Sequence, residues 1–168
     1  MKMIFSLIAL ALTLTAFAGE NGGGTLDCQS SSGRTTLSGM AGVDELDFNQ
    51  ADVKLTVDKK VLSFNTESLI SRNGVSAVGV VTYNKKAKVY NLVFVEKFTL
   101  DRGYDLTKKT LSLMAIPASF KEVSQDVYKF VALLSGADPR KNQKETLDGS
   151  IQMLENTITL NCTLDLSI

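Results

Sequence analysis

The side chains with chemical potential in this chain are two cysteines, Cys28 and Cys162, and two acidic clusters. One is Asp44-Glu45 with Asp47 and Asn49; the other is Asp101 with Asp105 around Arg102-Gly103. Oxygen ligands that close on a loop could hold calcium, and two carboxylates about 5 to 10 Å apart could hydrolyse a glycosidic bond. Neither cluster has the calcium-loop spacing, which closes on a Glu at about position 12. Both therefore read as solvated loops, and no metal or other cofactor is expected.

Histidine is absent from all 168 residues. That removes the usual general base of Ser and Cys nucleophile systems and the commonest zinc and copper ligand. Ser-x-x-Lys, the spacing of a Ser-Lys active site, does not occur either. With both cysteines expected in a disulfide, no thiolate is left, and the sequence reads as a protein without catalytic activity.

The disulfide expectation rests on compartment. Lys2 precedes an apolar run from Met3 to Phe17 that closes on Ala16-Phe17-Ala18, the pattern of a secretory signal peptide cut after Ala18. The run is shorter than the ~20 residues a spanning helix needs, so it exports the chain without anchoring it. A periplasmic or extracellular location follows, where an even cysteine pair oxidises. Cys28 and Cys162 lie 134 positions apart, and closing such a loop would contribute at most about 5 kcal/mol on the chain-entropy model. A Cys-x-x-Cys redox spacing is absent, so the bridge is expected to be structural.

Removing residues 1–18 takes away one cation, leaving 17 Lys plus Arg against 18 Asp plus Glu, a net charge of −1. Nucleic acid and anionic membranes both call for a basic excess or patch. Lys85, Lys86 and Lys88, like Lys108 and Lys109, read as solvated hairpin corners. Trp is absent and aromatic residues make up 7% of the chain, which leaves few rings for a stacking platform. Asn161-Cys162-Thr163 matches the glycosylation pattern, but its central residue is the expected disulfide cysteine.

These residues must be positioned by strands. Residues 19–24, rich in glycine, form a flexible lead-in, and residues 25–168 form a single domain of alternating apolar and polar segments. Thr25–Gln29 and Arg34–Met40 make a first hairpin across Ser30-Ser31-Ser32-Gly33. Ala51–Val57 returns through Leu62 and Phe64 after Asp58-Lys59-Lys60. Val75–Asn84 turns at Lys85–Lys88 and pairs with Val89–Glu96. Phe98 and Leu100 lead to Asp101-Arg102-Gly103, Thr110–Ile116 ends before Pro117, and Ile158–Leu166 closes the chain. Only residues 120–134 resist this pattern. Phe120, Val123, Val127, Phe130, Val131 and Leu134 fall at helical spacing, while Val127–Ser135 also reads as a strand. The strand is favoured because its neighbours are strands.

Eight to ten strands with few helical patterns imply an antiparallel β-barrel or two-sheet sandwich. If the first and last strands are neighbours, the disulfide would staple the seam where the sheet closes. The strands are mostly too short for an outer-membrane barrel, so the chain is not expected to span a membrane. Tyr83, Tyr90 and Phe94 on the central hairpin read as core, with a ligand pocket as the other use of such rings.

Leu26-Asp27-Cys28 followed by Ser32-Gly33-Arg34-Thr35, the late Asp138-Pro139-Arg140 and the ending Ile158-Thr159-Leu160-Asn161-Cys162 resemble secreted all-β proteins of Gram-negative bacteria that have no agreed activity. The resemblance implies export, an all-β fold and the terminal disulfide. Ser32-Gly33-Arg34 is also similar to the Ser-Gly loop with a basic residue that periplasmic lysozyme inhibitors present to their enzyme, which makes Ser32, Gly33 and Arg34 the binding candidates. The sequence thus predicts an exported, monomeric binding protein whose partner is a protein or a small apolar ligand. The three readings are binding through loops at one end, carriage of an apolar ligand inside the barrel, and inhibition of a cell-wall hydrolase such as lysozyme.

Overall fold

A computed structural model describes residues 24–41, 51–65, 75–99, 105–141 and 152–167. The expected signal segment 1–18 and the acidic cluster at 44–49 lie outside these residues, as does Asp101, while Asp105 opens a strand. Among the described residues ten strands form one antiparallel sheet: β1 (Thr25–Gln29), β2 (Thr35–Ala41), β3 (Ala51–Val57), β4 (Lys60–Asn65), β5 (Val75–Asn84), β6 (Val89–Thr99), β7 (Asp105–Ala115), β8 (Lys121–Ser124), β9 (Val127–Gly136) and β10 (Ile158–Asp165). The spatial order is β4-β3-β2-β1-β10-β9-β7-β6-β5. The all-β expectation holds, in the form of a curled half-barrel.

Alternation produces the core. Leu26 and Cys28 on β1, Leu37 on β2, Val53, Leu55 and Val57 on β3, and Leu160, Cys162 and Leu164 on β10 all point inward and are buried. Polar neighbours alternate with them toward solvent, the pattern that fixes register. Cys28 stands directly opposite Cys162 in the β1–β10 ladder, and the two are bonded. The terminal strands are therefore neighbours, as expected, but their join lies in the middle of the sheet. The rims are β4 and β5, so the disulfide clamps the centre and does not staple a seam. Gly24, the last residue of the expected lead-in, is buried and its carbonyl accepts from Ala41 N at 2.9 Å, which ties it to the end of β2.

The rims cannot meet as the other strands do. Nine strands in alternating direction leave β4 and β5 running the same way, so an antiparallel ladder between them is excluded. Closure falls to side chains instead. The rings of Phe64 on β4 and Phe94 on β6 meet edge-on with centroids 5.2 Å apart. Beside them, Lys109 on β7 lies half-buried, with its Nζ 5.3 Å from the Phe64 ring centroid and 3.0 Å from Glu96 Oε2. The expectation that Lys109 is a solvated hairpin corner is thus overturned. It sits inside β7, on the face that Leu111 and Leu113 share, because the strand starts at Asp105.

Residues 120–134 resolve as strand. Tyr128, Phe130, Ala132 and Leu134 are buried at every second position. Val123, which helical spacing would bury, is 51% exposed. β7 and β8 occupy the same side of β9 in succession, interrupted by the 3-10 turn Pro117–Ser119. That interruption lets Phe120 fold inward and stack on Tyr128 and Phe130 at 5.3 and 5.2 Å.

Candidate functional site

Strands β1, β3 and β9 run the same way through the sheet, so their C-terminal ends open at one end of the half-barrel. Three segments far apart in sequence meet there: the β1–β2 turn, the β3–β4 turn, and the stretch after β9.

The first is the predicted Ser32-Gly33-Arg34 turn. Gly33 takes φ +70°, a left-handed value that suits glycine, and its N–H donates to Ser30 O at 2.9 Å. Ser30 Oγ accepts from Thr35 N at 3.1 Å and Ser32 Oγ from Arg34 N at 3.3 Å, the local hydroxyl-to-backbone bonding that favours serine in turns. The second turn is built by Asp58 and Lys59, both at positive φ, +49° and +68°. Two such residues make the tight hairpin whose twist matches its strands. Asp58 N donates to Arg34 O at 2.9 Å, joining the two turns through backbone.

The third segment is held by an extension of the sheet. Ala137 N donates to Thr110 O, Asp138 N to Gln152 O and Leu154 N to Gly136 O, each at 2.8 Å. This sets Asp138 in a fully buried position. A buried carboxylate needs a partner, and Arg140 supplies one: Nε donates to Oδ1 at 2.9 Å, Nη2 to Oδ2 at 2.8 Å, and its own backbone N to Oδ1 at 2.9 Å. This fork geometry is the strong form of the pair.

Asp58 links the arginines. Its Oδ1 accepts from Arg34 Nε at 2.6 Å and its Oδ2 from Arg140 Nη1 at 3.2 Å. The Arg34 hydrogen bond, with Arg140 beside it, holds the Asp58 carboxyl below its ordinary range. The Arg140 hydrogen bonds do the same for Asp138. Both carboxylates are ionised and occupied, so neither is a proton acceptor in waiting. Arg34 is anchored through Nε while its side chain stays 72% exposed. Chemically, this is a preorganised guanidinium on a fixed turn, suited to recognising a carboxylate or carbonyl surface.

Of the sequence candidates, Ser32, Gly33 and Arg34 come together at this end. Asp58 and Arg140 complete the group; in the sequence Asp58 reads only as a turn residue and Arg140 only as part of Asp138-Pro139-Arg140. The only signal was charge alternation at turns, which does not say that the turns meet. Tyr90 and Phe94 are core residues, fully buried, and Tyr83 packs against that core. At the opposite end, Lys85 bonds Glu122 at 3.0 Å and lies 5.7 Å above the Tyr128 ring, while Lys86 and Lys88 are exposed in the turn. Asn161 is exposed in mid-strand, with Cys162 beside it in the disulfide.

Comparison of the chain with protein-family models, curated proteins and solved structures finds no match.

Proposed function

We propose that this is an exported, non-catalytic binding protein of the periplasm or extracellular space, which engages a protein partner through the end that carries Arg34. The observation that carries this reading is the convergence of three turns on Asp58. Two arginines, 24 and 82 positions from it, are fixed on one carboxylate. Such a network orders loops without consuming the outer donors of Arg34. The buried disulfide supports a life in an oxidising compartment.

The interior favours this reading over carriage of an apolar ligand. Tyr90 on Phe130 and Phe120 on Phe130 pack at ring distances of 5.4 and 5.2 Å, and these residues fill space that a cargo would need. Hydrolase inhibition is a special case of the proposal, favoured by Arg34 standing exposed on a Ser-Gly turn. In that case Arg34→Ala abolishes inhibition and leaves the fold intact.

A photo-crosslinking residue at position 32, compared with one at position 87 in the opposite turn, tests the proposal in exporting cells. A discrete adduct from position 32 alone, lost in Arg34→Ala, is the expected result. Equal capture from both ends, or none from position 32, would overturn it. Native mass spectrometry of the same material reads a bound small molecule directly as a mass increment, which would favour the carrier instead.

A further inference from the structure

We infer that Met153 is a reversible oxidation site, at which a peroxide converts the thioether to a sulfoxide that the Thr110 hydroxyl holds, tightening the segment beneath the Asp138–Arg140 pair.

Met153 belongs to the extension of the sheet after β9, where it stands opposite Ala137 in an isolated antiparallel bridge. The backbone bonds that flank this bridge, Asp138 N to Gln152 O and Leu154 N to Gly136 O, are the ones that set Asp138 in place. Ala137 N donates in the other direction, to the Thr110 carbonyl on β7. Thr110 and Met153 therefore flank Ala137 on opposite sides. The methionine side chain crosses the small alanine and brings Sδ to 3.7 Å from Thr110 Oγ1, whose hydroxyl donates to it. A thioether is a weak acceptor, so this contact ties β7 to residues 152–154 only loosely.

Oxidation makes the tie a strong one. Met153 is 41% exposed, which gives a small peroxide access to the sulfur. A sulfur lone pair attacks one peroxide oxygen, the S–O bond forms as the O–O bond breaks, and the sulfur gives up two electrons to the peroxide. The displaced oxygen takes the proton from the transferred one and leaves as water or an alcohol. The product is a polar side chain with an oxygen that accepts hydrogen bonds. The 3.7 Å between Sδ and Oγ1 leaves room for an oxygen borne on the sulfur to meet the hydroxyl at the ordinary separation of about 2.7 Å.

Met40 and Met114 supply the contrast. They are more exposed than Met153, at 54% and 50%, and among the described residues no hydroxyl donates to either sulfur. An oxygen added there meets solvent and ties nothing together. Met153 is thus distinguished by the consequence of its oxidation and not by its rate, and the site stands whether or not the Arg34 end engages a partner.

The test treats the disulfide-bonded chain with hydrogen peroxide in a Met40→Leu/Met114→Leu background, with peptide mapping to place the added oxygen and thermal denaturation to read its effect. The expected result is one added oxygen at position 153 and a midpoint raised by about 2 to 4 °C, restored to its starting value by methionine sulfoxide reductases. Met153→Leu in the same background is expected to show no rise. Thr110→Val is expected to take up the oxygen at Met153 without a rise, with circular dichroism confirming that it folds. A Met153 that stays unoxidised while Met40 and Met114 of the parent react, a midpoint that does not rise once position 153 carries the oxygen, or an equal rise in Thr110→Val or Met153→Leu would each overturn the proposal.

Discussion

Lys109 on β7 donates from Nζ to the backbone carbonyl of Ser63 on β4, at 2.6 Å, across the gap between the two ends of the strand order. The same ammonium lies 3.0 Å from Glu96 Oε2, and both side chains are largely withdrawn from solvent, 19% and 10% exposed. The lysine thus does by one hydrogen bond what strand pairing does elsewhere. Removing it as Lys109→Met strands the Glu96 carboxylate and should cost about 3 kcal/mol, the range seen when one partner of a buried pair is lost. Adding Glu96→Gln to Lys109→Met should recover part of that loss. Urea midpoints for the four members of the cycle give the coupling, and strict additivity would mean that the pair does not act as a unit.

Tyr90 leads to the opposite sign. Its hydroxyl is buried and has no hydrogen-bond partner among the described residues, while its ring packs against Phe130 in the core. An unpaired buried hydroxyl destabilises by about 1 to 3 kcal/mol, so Tyr90→Phe should leave stability unchanged or raise it by about 1 kcal/mol. Burial also pushes the Tyr90 phenol well above the ordinary tyrosine range. Its ionisation, followed by ultraviolet difference absorbance, should coincide with alkaline unfolding. A clear loss of stability in Tyr90→Phe would show that the hydroxyl is engaged after all.

Much of this fold was legible because alternation and turn chemistry agree. Thr25–Gln29, Ala51–Val57, Val75–Asn84 and the strand after Thr157 keep their sequence boundaries or nearly so, since each has one buried face and a polar turn. The disulfide was legible from the even cysteine count together with the expected compartment. The position of the rims was not, because strand order depends on which ladder forms between distant segments, and nothing in β4 or β5 alone shows that they end the order. The site was half legible. Ser32-Gly33-Arg34 is a local signature, whereas the link from Asp58 to Arg140 spans 82 positions and exists only once the turns share an end. Lys109 was misread because a lysine pair resembles a corner until the start of the strand is known.

Acid should loosen the loop end. Asp58 and Asp138 have carboxyls held below their unfolded value, so the native state binds fewer protons than the unfolded state in this window. Their contribution is fully present above about pH 4, the unfolded value, and is lost as pH falls through the native values beneath it. Asp138→Asn should flatten the fall in denaturation midpoint between about pH 5 and about pH 2.5 relative to the parent. Because Asp138 is buried against Arg140, the same variant should also be less stable at neutral pH. A parent midpoint that does not fall with acid would contradict the assigned network.

The Cys28–Cys162 bridge clamps the two halves of the chain at the centre of the sheet. Paired Cys→Ala substitution should cost about 2 to 5 kcal/mol. Both cysteines are 3% exposed, so reduction in the native state should be slow and should accelerate sharply in denaturant. Thiol titration with and without urea distinguishes this from an accessible redox pair, which would reduce at the same rate in both.

Two glycines at positive φ separate backbone need from local room. Gly33, at φ +70° in the candidate turn, would bring a β-carbon 3.4 Å from Gln29 Nε2, the end of a flexible side chain. Gly33→Ala should therefore cost only about 1 kcal/mol, the left-handed penalty, and Gly33→Asn less, because Asn visits that region readily. Gly39, at φ +147° in β2, is different: its β-carbon would strike the Asp52 carbonyl oxygen and lie 2.8 Å from Val53 Cα, both backbone of β3. β3 cannot yield without breaking its pairing with β2 and β4. Gly39→Ala should lose about 3 kcal/mol or more, combining strain and clash. Thermal denaturation of the two variants side by side decides the matter, and equal losses would mean that the curl of β2 over β3 does not depend on the close approach at Gly39.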